Sequence, residues 1–410
     1  MSEAPMTEQP IRFDPALAGP LSGVRVLDLS RLVAGNMLSL QLADFGADVV
    51  KIEPPSGDPL RDWTDDGQSL HWKVYGRNKR SMVLNLREAA DMDALLALVE
   101  TADVFIENFR PGTLETMGIA PARLLEINPD IVVVRISGFG QTGPYAAYPG
   151  FGTLVEAMSG FAARTGFPDR EPVLPPLALA DMIAGITGAQ AVTMALLARE
   201  KGRARGQVID LSLLEPMVAV LGPEAAIHRV TGKVKQRTGS ASNTSSPRNV
   251  YRCGDGKYVA LSGSMQVIAM RIFDIIGRPD MKTDPRFSTN AARVRNRDLV
   301  DQAVGAWFAE RDRDTALRVM REAGATVGPV YDIADIVADP HIRERGVVVE
   351  VEDADNGSLP MHAVLPRLSG TPGGLRRPAP RLGEHTEELK AEIARAAQAR
   401  KSTKTMGESP

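Results

Sequence analysis

The chain has 410 residues and a net charge of −3, from 48 basic and 51 acidic side chains. Apolar residues make up 43% and charged residues 24%. That balance excludes wholesale disorder, a collagen-like repeat and a disulfide scaffold, and the length suffices for a large core. Charges of both signs are mixed along the chain, which argues against a nucleic-acid binder. The short basic groups Lys233, Lys235, Arg237 and Arg376, Arg377, Arg381 read as solvated surface. Cys253 is the single cysteine, so no disulfide forms within one chain, in keeping with a reducing compartment. No run of about 18 apolar residues is read as a membrane span, and no secretory pattern is read in the first 20 residues. The expectation is a cytoplasmic protein.

Residues 1–20, with Pro5, Pro10, Pro15 and Pro20, read as a loose arm. Strands and helices then alternate. Val24–Leu29 reads as a strand, Ala34–Phe45 as a helix with Gly46 past its end, and Asp48–Ile52 as a strand stopped by Pro54 and Pro55. Met82–Leu86 follows as a strand, Glu88–Thr101 as a helix, and Val104–Ile106 and Ile131–Ile136 as strands. This alternation predicts a parallel sheet covered by helices. The first strand–turn–helix unit contains Gly35 but no Gly-x-Gly-x-x-Gly, so a Rossmann-like sheet is expected without an NAD site in that turn.

The texture changes near residue 240. Gly239–Ser246 is a small, polar loop, and Val250–Cys253 and Tyr258–Ser262 flank Gly254-Asp255-Gly256 as a hairpin. Helical patterns near 265–276, 294–309 and 314–323 complete a smaller α+β unit. Strands return at Gly346–Val351 and near Met361–Leu365. Pro372–Pro380 reads as a linker, Glu384–Ala397 as a helix, and Lys401–Pro410 as a tail. The expected organisation is a large α/β domain over 21–225, a small α+β domain over 240–330, a segment at 335–398 returning to the large domain, and flexible tails at 1–20 and 401–410.

Chemistry concentrates in Pro175–Gly185, where Asp181 is a lone carboxylate among small apolar residues ahead of a helical pattern running to Arg199. Asp is among the preferred N-caps, so Asp181 reads as the cap of that helix. The same position places it at the positive end of the helix dipole, which lowers a carboxylate's pKa and keeps it ionised as a nucleophile. The two readings are compatible. The five histidines form no metal-ligand spacing, and no Gly-x-Ser-x-Gly elbow marks a hydrolase.

Six segments in order carry a resemblance: Leu21–Asp28, Gly46–Glu53, Asn78–Ser81, Glu107–Gly112, Gly138–Pro144 and Leu382–Thr386. Together they resemble the class III CoA-transferase family, the group with formyl-CoA:oxalate, carnitine and succinyl-CoA-dependent transferases, from about Leu21 to Leu389. The resemblance implies that Asp181 attacks an acyl-CoA thioester and that CoA is then held as an aspartyl thioester. It implies acyl-CoA as substrate, with no permanently bound cofactor and no metal. It places Leu32, Val33 and Ala34 beside the active site, Asn108, Phe109 and Arg110 along the nucleotide, and Leu84 and Arg87 near the adenosine phosphate end. Gly140 belongs to a glycine-rich stretch whose N–H groups would meet an oxyanion. Phe109 also reads as core, Arg87 as solvated surface, and Lys79 and Arg80 as surface charges.

Two departures stand out. Val33 occupies the place of an active-site Gln found in several members, and Gly239–Asn243 stands where the oxalate enzyme has a glycine run. The family fold implied is a ring-shaped chain in an interlocked homodimer. The expected donor is succinyl-CoA and the expected acceptor a dicarboxylic or branched acid. The α-methylacyl-CoA racemases share the fold but use a His where this chain has Phe151; without that acid–base partner, α-proton exchange is disfavoured. A silent CoA-binding protein is the remaining rival.

Overall fold

The structure is a computed structural model, and it describes residues 10–407. The chain divides into two compact units. The first comprises the chain through Phe161, Pro175–Gly222 and everything from Gly346; the second comprises Ala162–Leu174 and Pro223–Arg345.

Six strands build the first unit: β1 (Arg25–Asp28), β2 (Asp48–Glu53), β3 (Lys79–Val83), β4 (Val104–Glu107), β5 (Val132–Ser137) and β6 (Gln207–Ser212). All neighbouring pairs are parallel, in the order β3-β2-β1-β4-β5-β6. The third strand starts earlier than its apolar residues indicate, because Lys79 and Arg80 are buried strand residues. Burial on both faces explains the apolar runs. Val26, Val104, Ile106, Val132 and Val134 face one core with helices Ala34–Asp44 and Leu179–Glu200. Leu27, Phe105 and Val133 face the other, with Leu95, Leu98 and Leu389.

Helix Leu179–Glu200 is, among the described residues, the one helix long and apolar enough to cross a membrane, which corrects the reading that no such segment exists. Its composition serves close packing here. A β-carbon on Gly185 would lie 2.7 Å from Met37 Cβ and 2.9 Å from the Ala34 carbonyl oxygen. One on Gly188 would overlap Leu38 and lie 2.8 Å from Leu211 Cδ2. These two glycines, one turn apart, let the helix settle directly on Ala34–Asp44.

The second unit has a three-stranded antiparallel sheet of β7 (Arg248–Arg252), β8 (Tyr258–Ser262) and β9 (Val327–Pro329), in that order. Helices Gln266–Ile275, Arg297–Ala309 and Arg313–Glu322 cover it around Phe273, Val304, Phe308 and Met320. β9 includes Gly328-Pro329.

From Gly346 the chain is again part of the first unit, as the antiparallel hairpin β10 (Val348–Asp353) and β11 (Gly357–His362). Three expectations are corrected here. The described part of the N-terminal arm is fastened to the hairpin, with Ile11 bridging Val351 and the Ile11 N–H donating to the Glu350 carbonyl at 2.8 Å. The Pro372–Pro380 stretch is a strap rather than a linker. Asn78 Oδ1 accepts from the Arg376 N–H at 2.6 Å, and Arg376 donates to the carbonyls of Ala43, Gly46 and Ala47 instead of facing solvent. The last helix spans Thr386–Gly407, so it runs through most of the expected tail. Residues 1–9 and 408–410 of the expected tails lie outside the described residues.

Candidate active site

The sheet order reverses between β1 and β4, and the carboxyl ends of strands at such a switch point form a crevice where ligands bind in open α/β sheets. The turn after β1 is held from below by buried charges. Register places Asp28 beside Lys51. Lys51 pairs with Asp28 at 3.3 Å and Asp58 at 3.0 Å, and donates to the Ser30 carbonyl. Lys79 pairs with Asp28 at 3.6 Å and donates to Asn36 Oδ1 at 2.9 Å. Two carboxylates face two ammoniums, which offsets the several kcal/mol that each buried ion costs.

The two lysines compete for Asp28. Burial weakens Lys51, but Asp28 and Asp58 more than offset this and hold its pKa above the ordinary value. Burial pushes Lys79 down to about 8, and its more distant partner only partly compensates. Lys79 and Arg80 are therefore not surface charges: they are 0% and 5% exposed.

This cluster fixes an uncommon backbone. Leu32 has φ of 61°, a left-handed value that bulky residues adopt only under constraint. Asp58 Oδ1 accepts from the Leu32 N–H at 2.9 Å, and Asn36 Nδ2 donates to the Leu32 carbonyl at 2.6 Å and to Asp58 Oδ2 at 2.7 Å. Val33 is 3% exposed and packs against Leu60 and Trp72, so its side chain belongs to the core. The turn ends with the Ala34 N–H pointing at Asp181.

Asp181 lies within the first turn of helix Leu179–Glu200 and is not its cap; Ala178 holds that position without a side-chain bond. The carboxylate is half-buried. Its pKa is raised to about 6, because burial penalises the charge and Glu156 adds repulsion; the N–H groups of Ala34 and Asp181 itself offset only part. The expectation of a lowered pKa is thereby overturned: desolvation and a like charge exceed the helix-end attraction. Gly152, the first residue of helix Gly152–Met158, abuts the carboxylate. Phe151, just before it, is 62% exposed and offers no acid–base group.

At the crevice, Asn108 joins the two loops. Its Oδ1 accepts from the Arg31 N–H and its Nδ2 donates to the Arg31 carbonyl, both at 2.8 Å. The Arg31 guanidinium lies 5.5 Å from the Phe109 ring centre, and Phe109 is half-buried against the second core. Glu107, paired with Arg135 at 2.9 Å, accepts from the Phe109 N–H at 2.7 Å and steadies this loop. Arg110 is exposed beside it.

The other expected residues are less alike. Arg87 is exposed, whereas the Leu84 side chain is 1% exposed and part of the core. Gly140 does not offer a free N–H: it donates to Ser137 Oγ at 3.0 Å, and the next N–H, of Gln141, goes to Asp210. Its φ of 92° suits glycine. The sequence reading missed Arg31, Asp58, Gly152 and Glu156. Gly152 alone carried a signal, as a glycine that opens a helix.

A half-buried carboxylate of raised basicity in the first turn of a helix is suited to acyl transfer. The sequence comparisons identify the family. Residues 21–386 match the family described as CoA-transferase family III, and the chain belongs to that family: it is a CoA-transferase. It is 38% identical over 374 residues to the succinyl-CoA–D-citramalate CoA-transferase of Chloroflexus aurantiacus, covering 90% of this chain and 93% of that one. It is 35% identical over 399 residues to the succinate–glutarate CoA-transferase of Agrobacterium fabrum, covering 95% and 98%. A crystal structure of a CAIB/BAIF family protein from Brucella suis superposes with a TM-score of 0.81 at 32% identity, covering 92% of this chain and all of that one.

Proposed function

We propose that this enzyme moves CoA from succinyl-CoA to a dicarboxylic acid by covalent catalysis on Asp181. The observation that carries the reading is the half-buried Asp181 in the first turn of helix Leu179–Glu200, facing the Ala34 N–H, with its pKa raised. The names of the relatives support the donor and the acceptor class.

The carboxylate attacks the thioester carbonyl, the C–S bond breaks, and CoA leaves as thiolate from a mixed anhydride. The thiolate then attacks the aspartyl carbonyl; donor acid departs as carboxylate and CoA is held as an aspartyl thioester. The acceptor carboxylate attacks that thioester and frees the thiolate again. Attack of the thiolate on the acceptor's acyl carbon gives the new acyl-CoA and restores Asp181. No net proton is needed. Asn108, Phe109 and Arg110, joined by Arg31, are assigned to the nucleotide end. The fixed donor forks of the two arginines suit phosphate.

The active form is proposed to be the interlocked homodimer that the resemblance implies. The exposed Ile186, Met194 and Leu197 on helix Leu179–Glu200 support a covering partner, as does an apolar groove of about 390 Å³ lined by Leu21, Leu42, Phe45 and Ile186. Light scattering on the purified protein tests it, and a monomer at working concentration would refute it.

For the reaction, the protein is incubated with succinyl-CoA and a panel of dicarboxylic acids while acyl-CoA masses are followed. New thioesters, together with a hydroxylamine-trapped adduct on Asp181, are expected. Full transfer by Asp181→Ala would refute the covalent route.

A further inference from the structure

Glu156 brings a second carboxylate to Asp181. It projects from helix Gly152–Met158, is 3% exposed, and its Oε1 accepts from the N–H of Ala180, the residue before Asp181, at 3.0 Å. Helices Gly152–Met158 and Leu179–Glu200 are packed together, so this bond fixes the first turn of the nucleophile's helix against its neighbour. Among the described residues, neither carboxylate has an ion-pair partner. The other elements packed here bring no compensating cation. Helix Ala34–Asp44 offers the Ala34 N–H, and Glu215, on the neighbouring helix Leu214–Val220, is engaged with Ser212 Oγ at 2.8 Å. Lys51 and Lys79 are committed to Asp28, Asp58 and Asn36.

We infer that Glu156 is a positioning residue that both orients Asp181 and, by its buried negative charge, raises the free energy of the free Asp181 carboxylate relative to its acylated forms. The inference rests on Asp181 being the nucleophile. The physical argument is short. In the anhydride and the aspartyl thioester, Asp181 carries no charge, so acylation relieves its repulsion with Glu156. Repulsion also makes the free carboxylate more basic and thus a better nucleophile. The raised pKa of Asp181, in which Glu156 is the second cause after burial, agrees in direction. The same charge opposes the last step, which restores the carboxylate, so Glu156 shifts the resting balance toward enzyme-bound CoA.

Glu156→Gln tests this, because the amide oxygen still accepts from the Ala180 N–H while the charge is gone. The acidic limb of kcat/KM with succinyl-CoA is expected to move from near pH 6 to lower pH. The ratio of aspartyl thioester to free enzyme, at a fixed ratio of succinyl-CoA to succinate, is expected to fall about tenfold for each pH unit the limb moves. A purely structural role would lower activity and leave the limb in place, which overturns the proposal. Should Glu156→Gln fail to fold, Glu156→Asp, which keeps the charge, is expected to retain the limb near pH 6; a limb clearly below the parent's in that variant overturns the proposal as well. The nucleophile reading fails separately, if Asp181→Ala still transfers CoA.

Discussion

Gly152 leaves no room for a side chain beside Asp181: a β-carbon built on it would overlap the carboxylate Oδ2. The backbone of Gly152 is ordinary helix, so the obstacle to alanine is the Asp181 carboxylate itself. Gly152→Ala is expected to lower kcat/KM about 100-fold by displacing Asp181, the scale of loss that a misplacement of roughly 1 Å causes. Its melting temperature should stay within a few degrees of the parent. Steady-state kinetics beside a thermal melt check this, and a fully active alanine variant would show that the carboxylate has another seat.

The free carboxylate of Asp181 works against folding. Its folded pKa, about 6, lies above the ordinary value of 3.8, so between these values the folded state binds more protons than the unfolded chain. Stability then falls as pH rises through this window. Asp181→Asn should accordingly be more stable than the parent by about 1–2 kcal/mol above pH 6, after discount for partial exposure. The difference should shrink below pH 6 and vanish below about pH 4. Urea unfolding of both proteins at pH 4 and pH 7.5 measures it.

Lys51 is the common partner of Asp28 and Asp58. Its replacement by Met leaves buried carboxylates facing one weakened lysine, and removal of one member of such a group costs about 3–5 kcal/mol. The Leu32 turn should loosen with it, so residual folded protein should also transfer CoA more slowly. Asp130→Asn, which removes the exposed partner of Arg205, is the control and should leave the urea midpoint unchanged.

Arg31 projects over Phe109 at the crevice. Arg31→Ala is expected to raise KM for the acyl-CoA about tenfold, the equivalent of about 1.4 kcal/mol, with kcat changed less than threefold. A fall in kcat at unchanged KM would move Arg31 from nucleotide binding to the chemistry.

The parallel sheet was legible because its strands are apolar on both faces and its helices end at Gly46 and similar stops. β3 was misplaced because Lys79, Arg80 and Ser81 look like surface residues until the third dimension supplies Asn36, Asp48 and Glu53 as partners. Asp181 was legible as a carboxylate among small residues, but its pKa was not. The helix end that lowers it is local, whereas the burial and the Glu156 charge that raise it come from a segment 25 residues away. Val33 and Leu84 show the same limit: their side chains are core, and nothing in their immediate neighbours says so.

The outer edge of β3 is closed by residues found near the other end of the chain. Gly383 donates to Ser81 Oγ, His385 to the Ser81 carbonyl, and Thr386 Oγ1 accepts from the Val83 N–H at 3.0 Å. During synthesis, β1 to β6 therefore leave the ribosome about 170 residues before the cover for β3. An open strand edge templates pairing with other chains, and N-terminal segments fold first as they emerge. The nascent protein thus passes through an interval in which its sheet is assembled but one margin is bare, until the segment around Gly383–Thr386 emerges and seals it.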